Sequence, residues 1–184
     1  MKVYILYVLV ISISITLASC DRGNVIVSLE DSSLVVTDSI HTYEGKLFDG
    51  TILSDPVDSK LTAQYQVRKG QYHGSYKEWY AKAQLKTDKH FKKGIEHGVQ
   101  KGYHHNGNLS YEYRCSDGLR NGTYVEYFPS GKLQIQRQYE NGSEVKNKVL
   151  DFDGKVLAHY VIRDGNYYGQ LGSSNCISVI NEQE

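Results

Sequence analysis

Apolar and polar side chains alternate in short runs through the middle of this chain. Leu109, Tyr111, Tyr113 and Cys115 alternate with Ser110, Glu112 and Arg114, and Leu133, Ile135 and Tyr139 alternate with Gln134, Gln136 and Gln138. A period of two marks a half-buried strand. Preceding runs carry aromatics on both faces, at Trp79 and Tyr80 and at Tyr127 and Phe128. Turn residues separate the runs: Asn106-Gly107, Ser130-Gly131 and Asp153-Gly154 in one set, Lys93-Gly94, Asp117-Gly118, Asn141-Gly142 and Asp164-Gly165 in the other. Two runs bounded by such turns predict a β-hairpin. The first has strands over roughly 74–80 and 85–91.

The pattern repeats. Glycines fall at 70, 94, 118 and 142, and again at 50, 74, 98 and 122, always 24 residues apart. Trp79, Tyr103 and Tyr127 form an aromatic column, flanked by Tyr80, His104 and Phe128. Leu85, Leu109 and Leu133 form an aliphatic one, and Phe91, Cys115 and Tyr139 close the unit. Gly74, Gly98, Gly122 and Gly169 are expected at repeat turns. The fourth unit carries Lys146 where a glycine is due and is one residue short, which predicts a bulge or irregular turn there. The expected fold is all-β, an elongated antiparallel β-hairpin meander built from about five 24-residue repeats. Each repeat adds about 10 Å of sheet, and none buries its apolar face without its neighbours.

Gly-x-x-x-Gly, then aromatics, then a Gly-x-Leu turn, resembles the MORN-variant repeats of bacterial proteins labelled YwqK-type antitoxin components. The resemblance covers about Tyr43 to Gly169. It implies a β-hairpin repeat fold and, through the family label, an antitoxin-like role.

The N-terminus reads as targeting sequence. Lys2 precedes an apolar run, Val3 to Thr16, of signal-peptide rather than membrane-spanning length. Leu17-Ala18-Ser19-Cys20 resembles the bacterial lipobox, which implies removal of residues 1–19 and lipid attachment at Cys20. Acyl chains at about 0.8 kcal/mol per buried CH₂ hold such a protein at a membrane. Residues 20–42 are then a lipidated tether and N-terminal cap, 43–169 the repeat array and 170–184 a C-terminal tail. His41 to Ile52 reads as a degenerate first repeat, with Pro56 in its turn. The expected location is the bacterial cell envelope, lipid-anchored at the membrane.

Charge argues against nucleic acid. Losing residues 1–19 removes only Lys2, which leaves 20 basic against 21 acidic residues and no basic run. The repeat spacing of the 16 tyrosines assigns them to sheet packing rather than base stacking. Near-neutral charge also gives direct lipid contact by the repeats no electrostatic support.

No catalytic motif, metal constellation or cofactor site stands out, and the chain is read as a non-enzyme. His73 and His97 lie one repeat apart, too far to share a metal ion. Cys115 stands in the column of Phe91 and Tyr139, as a buried thiol does, although a bond to Cys176 is chemically open. Asn108-Leu-Ser, Asn121-Gly-Thr and Asn141-Gly-Ser match glycosylation sequons but sit at turns that favour asparagine.

The informative feature is the apolar face. Trp79, Tyr103 and Tyr127, with Tyr111, Tyr113 and Tyr139 beside them, are candidate partner-binding residues, or the core of a curled sheet. The functional expectation is a membrane-anchored, non-enzymatic binding or scaffold lipoprotein that presents its repeats to a protein partner. The alternative is an antitoxin- or immunity-like component that neutralises a toxin by binding it.

Overall fold

A computed structural model describes residues 25–54, 62–80 and 83–170. The expected signal segment, Cys20, the turn expected at Pro56, Cys176 and the residues beyond Gln170 lie outside those residues. No α-helix occurs among the described residues. The lead-in forms β1 (Ile26–Ser28), β2 (Leu34–Thr37), β3 (Ile40–Tyr43), β4 (Lys46–Leu47) and β5 (Gly50–Ser54). The array continues with β6 (Thr62–Arg68), β7 (Gln71–Tyr80), β8 (Gln84–Lys92), β9 (Ile95–Glu96), β10 (Gly98–Tyr103), β11 (Leu109–Ser116), β12 (Leu119–Arg120) and β13 (Gly122–Tyr127). β14 (Leu133–Glu140), β15 (Ser143–Leu150), β16 (Val156–Arg163) and β17 (Asn166–Gln170) complete it.

Fourteen described strands make one long sheet in the order β1-β5-β6-β7-β8-β10-β11-β13-β14-β15-β16-β17, with β9 on β8 and β12 on β11. From β5 onward every pairing is antiparallel. The expected meander is therefore present, with one correction at its start. β1 runs parallel to β5, and β2, β3 and β4 form a separate three-stranded sheet, so the long sheet is mixed. In the array a strand such as β8 pairs with both β9 and β10. In the degenerate first repeat β3 pairs with β4 but not with β5. β1 takes the vacated place and ends the repetition. The principal apolar core sits at this junction, where Val27, Phe48, Ile52, Tyr65 and Val67 are buried and Leu34, Tyr43 and Tyr72 pack against them.

The glycine columns have two separate jobs. Lys93-Gly94, Asp117-Gly118, Asn141-Gly142 and Asp164-Gly165 each place two consecutive residues at positive φ, 49° and 81° at Asp117 and Gly118. That is the type I′ turn, whose twist matches a hairpin. Each turn glycine also ties its repeat to the one before. The N–H groups of Gly70, Gly94, Gly118 and Gly142 donate to the carbonyls of Phe48, Tyr72, Glu96 and Arg120 at 2.8, 2.8, 3.2 and 2.9 Å.

Gly74, Gly98 and Gly122 are not in turns. They stand four residues further on, at bulges, and Gly169 lies within β17 opposite Tyr160. On β8, Lys89 and His90 face the four residues 97–100, and on β11, Tyr113 and Arg114 face 121–124. Two residues are extra in each case. The fully buried Gln100 side chain fills one of these gaps. Its Oε1 accepts from His90 N at 3.1 Å, and its Nε2 donates to His90 O at 3.0 Å. The fourth unit has only one extra residue, Val145, between the pairs Tyr139–Glu144 and Gln138–Lys146. The missing residue of the short repeat is thus a smaller bulge, with Lys146 in regular strand.

Candidate functional site

A second bulge recurs near the other end of each hairpin and decides which side chains share a face. Tyr103 pairs with Leu109 and Gly102 with Tyr111, so Ser110 has no cross-strand partner. Lys86, Gln134 and Leu157 occupy the same position in their hairpins. Paired residues share a face and consecutive residues take opposite faces. Leu109 therefore joins Tyr103, on the face opposite Tyr111. The six candidate aromatics, expected together, divide three and three. Tyr111, Tyr113 and Tyr139 lie on one face, and Trp79, Tyr103 and Tyr127 on the other.

The Tyr111 face packs on its own side chains, with a groove left open between Tyr72, Tyr76, Lys89, Phe91 and Tyr111. Tyr113, Cys115 and Tyr139 are buried there, and the Tyr111 and Tyr113 rings stack at 5.8 Å. A Cβ on Gly102 would collide with the Tyr111 ring. The Arg120 guanidinium lies over Tyr113, Tyr124 and Tyr139 at 4.7, 5.4 and 5.6 Å. Each such cation–π contact contributes about 0.5–1 kcal/mol when exposed and about 2 when desolvated. Forty-eight residues earlier the same three ring positions are Tyr65, Tyr76 and Phe91, and Tyr72 stands where Arg120 does. Tyr72 contacts those rings at 5.2, 5.8 and 5.3 Å.

Ion pairs occupy the intervening repeats. Lys89 Nζ meets Glu96 Oε1 at 2.9 Å, and Arg137 Nε lies 3.4 Å from Glu144 Oε2 without hydrogen-bond alignment. These pairs are also 48 residues apart. So are the contacts from Tyr76 to Glu78 at 2.8 Å and from Tyr124 to Glu126 at 2.9 Å. On this face the chemical period is two repeats, not one: an aromatic cluster, an ion pair, an aromatic cluster, an ion pair.

Electrostatics follow from that packing. Burial pushes the Glu96 carboxyl up. Hydrogen bonds from Lys89, Tyr113 and Cys115, with the Lys89 charge, outweigh it and leave the carboxyl below its ordinary value. Burial pushes the Tyr65 phenol up to about 12, with a smaller contribution from Tyr72. Tyr124 also rises to about 12, through burial and then the hydrogen bond to Glu126. Cys115 is a free, buried thiol 3.7 Å from Glu96 Oε2, and burial followed by that carboxylate raises it too. Its surroundings are therefore polar on one side rather than wholly apolar.

The opposite face carries two rows. One is the apolar stripe Trp79, Leu85, Tyr103, Leu109, Tyr127, Leu133, Leu150 and Val156, all half-buried. The other runs Lys77–Asp88–Lys101–Glu112, with ion pairs of 4.0 Å between the first two and 3.0 Å between the last two. At the adjoining edge, polar side chains stitch successive loops together. Tyr80 Oη donates to Tyr103 O at 3.0 Å, Asn106 Nδ2 donates to Pro129 O at 2.6 Å, and His104 Nε2 lies 2.8 Å from Tyr127 O. No group of His, Cys, Asp and Glu suited to a metal ion occurs among the described residues.

The apolar stripe was half visible in the sequence, as the Trp79 and Leu85 columns. Their union required the bulge at Lys86 and its equivalents, which turns the leucines over. The two-repeat period was also available, by comparing Lys89 with Arg137 and Glu96 with Glu144 rather than each repeat with the next. No curated protein matches the chain. The MORN repeat variant family matches at residues 96–114 and 120–141. Both stretches begin where a type I′ turn has closed, take in the two-residue bulge and run into the following strand, so the hairpins at the centre of this array are MORN-variant repeats.

Proposed function

We propose that this chain is a non-enzymatic binding or scaffold protein, anchored at a membrane through lipid-modified Cys20, whose repeats receive a protein partner on the Trp79–Tyr103–Tyr127 face. The observation that carries the reading is the asymmetry of the two faces. One buries Tyr65, Tyr113, Cys115 and Tyr139 among its own side chains. The other keeps a half-buried aromatic and aliphatic stripe that crosses eight strands. A long apolar stripe beside charged residues is the composition of an interface. Repeat arrays supply such extended surfaces.

The test is a pull-down from detergent-solubilised native membranes with the intact lipoprotein as bait. Wild type is compared with a folded variant carrying Trp79→Ala, Tyr103→Ala and Tyr127→Ala. A partner held by wild type and lost from the variant supports the reading, and a toxin recovered there would make the chain an immunity component. Equal recovery by both proteins removes the stripe as the binding site.

A further inference from the structure

The arrangement of the stripe and the charged row points to a specific occupant, and we infer that it is a second copy of this chain, packed face to face about a two-fold axis. The inference rests on the reading of the stripe as a contact surface and names what contacts it.

Lys77, Asp88, Lys101 and Glu112 are successive register partners on β7, β8, β10 and β11. Their signs alternate along the row. Trp79, Leu85, Tyr103 and Leu109 lie on the same four strands, in a parallel row. Place a two-fold axis parallel to the strands and between β8 and β10. The charged row then lies antiparallel over itself, with Lys77 over Glu112 of the second copy and Asp88 over Lys101. The four stripe residues on these strands lie over themselves in the same way, with Trp79 against Leu109 and Leu85 against Tyr103, while Tyr127 and the rest of the stripe extend beyond this paired patch. Cation meets anion and ring meets aliphatic chain at every position. An axis along the charged row instead would put lysine over lysine and carboxylate over carboxylate.

The neighbouring positions carry no clash. Gln64 on β6 and Leu53 on β5 extend the row on one side, Val125 on β13 and Gln136 on β14 on the other. The axis places Gln64 over Val125 and Leu53 over Gln136, all uncharged. A surface that complements itself under one rotation is what an isologous contact requires. Two twisted sheets stacked about 10 Å apart are an ordinary way to bury such faces.

The test uses the full chain in detergent and sedimentation equilibrium. Wild type is compared with an acid-row variant, Lys77→Glu with Lys101→Glu, and a base-row variant, Asp88→Lys with Glu112→Lys. The expected result is a wild-type dimer, at least tenfold weaker self-association for either variant alone, and recovery of a heterodimer when the two are mixed. A second measurement needs no substitution. Carbodiimide joins touching amines and carboxylates without a spacer. Lys77 and Glu112 of one chain lie three strand spacings apart, about 14 Å, so a Lys77–Glu112 cross-link between labelled and unlabelled copies reports the dimer directly. A wild type that stays monomeric at high micromolar concentration overturns the inference, as does a dimer with unchanged affinity in both variants or without the Lys77–Glu112 link. If that happens while the pull-down still yields a partner dependent on Trp79, Tyr103 and Tyr127, a different protein occupies the face and the functional reading stands. Failure of both experiments removes the surface altogether.

Discussion

At the scale of single residues, side chains that reach across repeats hold the tyrosine-rich face together. Arg120 contacts three rings at once, and Arg120→Met is expected to lower unfolding free energy by about 1–2 kcal/mol, read from denaturant midpoints at constant slope. Glu96 contributes to the acid limb of stability. Its carboxyl is depressed in the folded protein, so its contribution is complete above the ordinary carboxylate value and is lost as pH falls through the depressed one. Glu96→Gln should flatten the acid limb of a stability–pH profile. An unchanged profile would assign acid sensitivity elsewhere. The tyrosines set the alkaline limb. Tyr65 and Tyr124, raised to about 12, favour folding fully below the ordinary phenol value near 10, and that contribution disappears as pH climbs towards 12. Tyrosinate absorbance should show phenols that ionise only as the fold is lost, and Tyr124→Phe should shift the alkaline midpoint upward.

At the scale of elements, the turn and bulge glycines do unequal work. Both Gly118 and Gly122 have positive φ, 81° and 84°. A methyl group on Gly122 meets nothing within 4 Å, whereas one on Gly118 lies 2.8 Å from Ile95 Cγ2. Gly122→Ala should therefore cost about 1–2 kcal/mol from backbone strain alone. Gly118→Ala should cost visibly more in the same thermal melt, because the Ile95 side chain and the turn hydrogen bond to Glu96 must both shift. The hairpins themselves were legible in the chain, since Asp117-Gly118 and its equivalents are strong turn dipeptides and Leu, Tyr and Gln alternate between them. The bulges were not. Nothing in the letters Leu109-Ser110-Tyr111 distinguishes continuous alternation from a strand with one unpaired residue, and that residue reverses the face of every leucine before it. The parallel docking of β1 was equally hidden, because Ile26–Ser28 is separated from β5 in the chain by the whole three-stranded sheet β2-β3-β4 and carries no local signature of direction.

At the scale of the whole molecule, the array is stabilised by nearest neighbours, and its period is longer than the repeat that reveals it. The 24-residue spacing that identifies the fold comes from turns and strands, which are backbone requirements shared by every hairpin. The 48-residue alternation comes from side chains that meet across strands, where a cluster of rings needs a different neighbour from an ion pair. Lys89 contacts Glu96, and Arg120 and Glu144 occupy the equivalent place in the next two repeats.

That phase limits how the gene can lengthen or shorten. Excising residues 94–117 removes one hairpin and brings Arg120 to Lys89, cation against cation on a half-buried face. Excising 94–141 removes two hairpins and brings Glu144 there, restoring the pair. The longer deletion should yield the more stable protein, measured by thermal unfolding of each shortened chain, although it discards twice as much sheet. Viable descendants of this sequence would then gain or lose hairpins in even numbers, with parity as the inherited unit.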